Sequence, residues 1–95
     1  MRRIAKVDDN QAEVVKALRA IGCSVLHLHR VGDGAPDLCV GLRGFNVLLE
    51  IKDGSKPPSA RVLTKDEITF RSGWRGQYAV VESPEQAIKV VQTHT

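Results

Sequence analysis

The sequence predicts a mixed α/β domain, a small sheet flanked by helices in the order α-β-β-β-α-β-α. Three observations carry that expectation. Near the start, Val14, Val15, Leu18 and Ile21 recur at helical spacing. In the middle, "DLCVGLRGFNVLLEIK" alternates as paired strands do. At the end, "QYAVVESPEQAIKVVQ" reads as a strand running straight into a capped helix.

Each element has its own local reason. "VDDNQAEVVKALRAIG" reads as a helix with Asp9 or Asn10 as its cap, stopping at Gly22, which suits the left-handed position after a helix. "CSVLHLHRV" alternates, placing Val25, His27 and His29 on one side and Leu26 and Leu28 on the other. "GDGAP" is a loop, and "DLCVGL" and "NVLLEIK" are two strands separated by "RGF". "DGSKPPSAR" is too rich in Gly, Pro and Ser for regular structure. "TKDEITFRSG" reads as a short helix in which Thr64 and Glu67 form a capping box. In the last helix Ser83 is the cap, Pro84 holds the first helical position and Gln86 completes a second box.

Ninety-five residues make one domain with one modest core. A hydrophobic fraction of 42% and a charged fraction of 26% are ordinary for a globular chain. The segment "MRRIAKVDDNQ" lacks the apolar stretch of a signal peptide, and no apolar run approaches a membrane span. These features predict a cytoplasmic protein without a membrane partner, in a bacterium or in a host cell if phage-encoded. Cys23 and Cys39 lack zinc-site spacing and are expected as reduced thiols. The net charge of +3 is mild and does not repel polyanions. Arg2, Arg3 and Lys6 cluster at one end, and further cations are scattered through the second half.

The strand pair carries three charges on its most apolar segment. With Arg43-Gly44 as a two-residue turn, Leu42 faces Phe45, Val40 faces Val47 and Leu38 faces Leu49. One face is then continuously apolar, and Asp37 directly faces Glu50. Lys52 lies two residues on, on the same face. A four-residue turn would set Asp37 opposite Lys52 instead, and either way all three charges share a face. Two adjacent carboxylates repel unless something positive lies between them. Lys52 can do this alone as a structural cluster. A divalent cation does it better, and hard oxygen ligands suit Mg²⁺ or Mn²⁺, with the Ile51 carbonyl as a further donor. A metal between Asp37 and Glu50 with Lys52 alongside is the equipment of phosphodiester hydrolysis.

Pro36-Asp37, then twelve residues, then Glu50-Ile51-Lys52 resembles the PD-(D/E)XK nuclease motif. The flanks "GAPD", "EIKDG", "KPPSARVLTKDE" and "VVESPEQAIKVV" are similar to stand-alone virus-type replication-repair nuclease domains, over nearly the whole chain. The resemblance implies a restriction-endonuclease-like core and Mg²⁺- or Mn²⁺-dependent cleavage of DNA, leaving 5′-phosphate and 3′-hydroxyl ends. It implies Asp37, Glu50 and the Ile51 carbonyl as metal ligands, Lys52 as the catalytic lysine, and Glu13 as the first-helix acidic ligand. It also implies a homodimer acting on branched DNA, similar to Holliday-junction resolvases. Where the family reads Pro-Asp-Gln after "LT", this chain has Lys65-Asp66-Glu67.

Other readings stand beside these. Glu13 also fits the third helical position after Asn10, where a capping-box glutamate belongs. Glu67 is expected as a cap rather than a ligand. His27 and His29 are expected as half-exposed strand residues. Trp74 can stack on a base, but a lone Trp beside a strand usually packs. Lys56, Arg61 and Lys65 are candidates for phosphate contacts on a loop that follows Lys52.

Overall fold

The computed structural model describes residues 9–93; the basic group Arg2, Arg3 and Lys6 lies outside them. Helix α1 spans Gln11–Ala20, and strands β1 (Ser24–His27), β2 (Leu38–Leu42) and β3 (Phe45–Ile51) follow. A short 3₁₀ turn, Pro58–Ala60, precedes helix α2 (Lys65–Gly73), strand β4 (Tyr78–Val81) and helix α3 (Pro84–Thr93). Among the described residues, four strands form one sheet in the order β1-β2-β3-β4 and three helices flank it. β1, β2 and β3 pair antiparallel, whereas β4 joins β3 in parallel, so the sheet is mixed. No helix among these residues is long and apolar enough to cross a membrane.

The two sheet faces differ in chemistry. Val14, Val15 and Leu18 of α1 and Ala87 and Val91 of α3 bury against Leu38, Val40, Val47, Leu49, Ile51 and Val81 of the sheet. These strand residues occupy alternate positions, so the pleat sends Cys39, Leu48, Glu50, Tyr78 and Val80 to the opposite face. That face meets α2, where Phe70 lies 6.2 Å from the Tyr78 ring.

Local chemistry sets the ends of the elements. α1 ends as expected: Gly22 has φ +97°, its N–H donates to the Arg19 carbonyl, and the Cys23 N–H donates to Leu18. Arg43 and Gly44, at φ 52° and 84°, make the two-residue hairpin turn, and Leu42, Val40 and Leu38 pair with Phe45, Val47 and Leu49. Both sides of the Thr64–Glu67 capping box are present. In the final helix the Ser83 hydroxyl accepts from the Gln86 N–H at 3.1 Å, while the Gln86 side chain accepts from Glu82 N–H, one residue further back than Ser83.

Two expectations give way. Asn10 occupies the cap position of α1 without capping it; its side-chain amide donates to the Lys52 and Glu82 carbonyls, both at 3.2 Å. It thereby ties the start of the helix to the chain leaving β3 and β4, and no capping box with Glu13 forms. The first strand is also shorter than its alternation implies. β1 ends at His27, and the chain turns through Leu28, Val31 and a run of positive φ at Gly32, Asp33 and Gly34. His29 therefore lies in the turn beyond the strand, although its ring stays 6.3 Å from that of His27.

Gly34 is where this turn meets α2. Its φ is +80°, and a Cβ there would collide with the Asp66 backbone. Gly34→Ala should cost about 2–4 kcal/mol through left-handed strain and overpacking against α2. Urea denaturation would measure this, and a variant within 0.5 kcal/mol of the parent, roughly the scatter of neutral surface changes, would refute the contact.

Candidate active site

The hairpin register places Asp37 opposite Glu50, one pair beyond Leu38 and Leu49. Both carboxylates are buried, at 5% and 3% exposure, and Lys52 follows at 8%. The Ile51 N–H donates to Asp37 Oδ2 at 2.7 Å. The peptide between Glu50 and Lys52 thus holds the aspartate in place, while the Ile51 side chain is fully buried in the core behind it. Lys52 Nζ lies 3.9 Å from Glu50 Oε2, beyond hydrogen-bond range.

A fourth charged group completes the cluster. Glu67 is 8% exposed and its Oε1 accepts from Lys52 Nζ at 2.9 Å. The same oxygen accepts from the Thr64 N–H at 2.8 Å. Glu67 is therefore the expected cap and also the ion-pair partner of Lys52. The capping-box pattern announced the first role; the second depends on α2 docking across the sheet. Tyr78 is a further neighbour that its strand pattern does not reveal. Its hydroxyl is buried without a hydrogen-bond partner among the described residues.

The electrostatics follow from burial. Glu50 is pushed up to about 10 by burial first, then by the charge and hydrogen bond of Asp37 and the charge of Glu67, with Lys52 only partly offsetting these. Burial and the neighbouring Asp37 thus favour the protonated form of Glu50. Burial also opposes ionisation of Glu67, but the Lys52 and Thr64 hydrogen bonds outweigh it and hold the group below the ordinary carboxylate range. Tyr78 is raised to about 12 by burial and by the charge of Glu50 and Glu67.

Asp37 and Glu50 are the carboxylates that could hold a hard divalent cation here. Glu50 Oε1 is buried with no hydrogen-bond partner among the described residues. Mg²⁺ commonly takes one or two carboxylates, several waters and a phosphate oxygen. No set of three or more His, Cys, Asp or Glu side chains is arranged to hold a metal among the described residues. A cation here would rest on Asp37 and Glu50, with Glu67 engaged by Lys52.

The remaining sequence candidates lie elsewhere. Glu13 is exposed on α1 and lines a cleft of about 520 Å³ with Asp53, Ser55, Glu82 and Gln86. The carboxylates acting on Glu50 are Asp37 and Glu67, and Glu13 is not among them. Arg61 is bound to both Glu82 oxygens at 3.2 Å, and Lys56 lies 3.4 Å from Asp9, so two of the three candidate phosphate contacts are paired with acids. Lys65 is exposed at the first position of α2. His27 and His29 meet edge to face at 6.3 Å. Cys23 and Cys39 are free thiols, as expected.

The raised Glu50 predicts a pH dependence. Unfolded, the group ionises near 4.5; folded, it keeps its proton to about 10. The folded state therefore binds more protons between these values, and stability falls as pH rises through that window. Glu50→Gln removes this term and should stabilise the protein at pH 8, with the gap closing toward pH 5. Thermal melts of both proteins across that range check it; a glutamine variant less stable than the parent at pH 8 would contradict the assignment.

Set beside protein-family models, curated proteins and solved structures, the chain matches none.

Proposed function

We propose that this chain is a metal-dependent DNA endonuclease of the PD-(D/E)XK type, with a restriction-endonuclease-like core similar to that of virus-type replication-repair nuclease domains. The observation that carries the reading is the buried Asp37–Glu50 pair with Lys52 two residues on. A domain that merely bound DNA would gain nothing from burying acids that repel phosphate.

Asp37 and Glu50 would hold Mg²⁺ or Mn²⁺, with the Ile51 carbonyl as the third protein donor. When bound, the ion supplies an activated water and polarises the scissile phosphodiester. The chain's own residues do the rest. The Ile51 N–H fixes the Asp37 oxygen. Lys52 is aimed by Glu67 and offsets the charge that builds on the phosphate. Glu50, whose protonated form burial and Asp37 favour, would have to give up that proton to ligate a cation. Glu13 belongs to the resemblance, and it lines the cleft shared with Asp53 and Glu82. The substrate is branched or otherwise structured DNA, and a twofold dimer would present one site to each strand.

A second reading has one observation in its favour. The 2.9 Å bond between Lys52 and Glu67 also suits a purely structural polar network in a DNA-binding module without chemistry. Glu67→Gln separates the two. The amide oxygen still accepts from Thr64, but the charge on Lys52 is no longer neutralised.

Labelled duplex, flap, single-strand and four-way substrates should be cut with Mg²⁺ or Mn²⁺ and spared with EDTA. Asp37→Ala and Lys52→Ala should each lower the rate by at least about 10²-fold, the scale of a lost transition-state contact. Glu67→Gln should cut at least as fast as the parent. Cleavage retained in both alanine variants would reject the site, and binding without cutting in either metal would favour the module.

A further inference from the structure

Helix α2 and the residue that caps its end carry one stripe that starts at the candidate site and ends at the surface. Glu67, Phe70, Arg71 and Trp74 stand at helical spacing, i, i+3, i+4 and i+7. Glu67 holds Lys52. The Phe70 ring lies 6.2 Å from Tyr78, and the Arg71 guanidinium lies 5.9 Å from the same ring. Tyr78 in turn feels the charge of Glu67 and Asp37. At the far end Trp74 stacks on Phe70, with centroids 5.5 Å apart and planes 15° apart.

Trp74 packs, as a lone tryptophan should, yet remains 46% exposed. Its position is fixed as well as open. Phe70 supports one side, and a Cβ added at Gly76 would stand 2.9 Å from the indole Nε1, so the loop backbone also presses on the ring. A rigid, half-exposed indole loses little freedom when a second flat ring stacks on it. Arg71 and Arg75 flank it, both exposed. Aromatic surface bordered by cations complements a base with its phosphates, and that charge pattern chooses the occupant.

We propose that Trp74 is the stacking platform for an unpaired nucleobase, with Arg71 and Arg75 meeting the adjoining phosphates. The inference rests on the nuclease reading and narrows its substrate: the bound DNA has a single-stranded segment running along α2 toward Asp37 and Glu50. A flap, a frayed end or an opened junction arm supplies such a segment, whereas a closed duplex hides its base faces.

Trp74 is the one tryptophan in the chain, so its fluorescence reports this ring alone. In EDTA, where nothing is cut, a thymidine oligonucleotide of about 10 nucleotides, within the usual single-strand site size, should quench that emission. It should bind at least fivefold more tightly than a blunt duplex of equal length. An abasic strand of that length, and Trp74→Ala with the normal strand, should each lose about five- to a hundredfold in affinity, the range of one base–aromatic stack. Trp74→Phe should recover most of the loss, and Arg71→Ala should lessen the salt dependence.

Equal affinity for abasic and normal strands would overturn the platform even if Trp74→Ala failed to fold. So would an emission change that tracks protein concentration instead of DNA, which would give the face to a second copy of the chain. Stacking without cleavage in Mg²⁺ or Mn²⁺ would leave the platform standing and remove the nuclease reading. Cleavage with no stacking would do the reverse.

Discussion

The pairing of Asp37 with Glu50 governs the rest of the molecule. It is produced by two residues of turn, Arg43 and Gly44, whose positive φ values match the twist of the strands they join. A shift of one residue would turn Leu38, Val40, Val47 and Leu49 outward and scatter the charges. The apolar face and the acidic pair are thus locked together by one register, and the core that α1 and α3 bury enforces the placement of the carboxylates on the other side.

Such a pair is costly unless its surroundings compensate, and the structure shows several compensations. Burial favours the protonated form of Glu50, the Ile51 N–H supports Asp37, and Lys52 leans toward Glu67. Helix α2 matters here beyond its packing. Its capping glutamate orients the lysine, and its entry is set by the close approach of Gly34 to the Asp66 backbone. Tyr78 and Phe70 then connect this interior to Trp74 at the surface.

Much of the fold was legible because it rests on short-range rules. Thr64 with Glu67 is a relation over three residues, Gly22 a single backbone preference, and the hairpin a two-residue turn between matched apolar runs. Asn10 shows where such rules fail. It has the right side chain for a cap, but carbonyls from Lys52 and Glu82, distant in sequence, compete for its amide and win. His29 shows another failure: the alternation in sequence runs on to position 29, but the strand stops at His27 and the chain is already turning toward Gly32, Asp33 and Gly34.

The same division applies to the candidate site. The sequence alone determined that Asp37, Glu50 and Lys52 share a strand-pair face, because side-chain alternation and turn length are local geometry. Only the tertiary structure decided that Glu67 reaches Lys52, that Arg61 is held by Glu82, that Glu13 looks into a different cleft, and that Trp74 stays half open above Phe70. Each of these joins elements whose separation along the chain carries no periodic signal. Their meeting is set by how the helices settle on the two faces of the sheet.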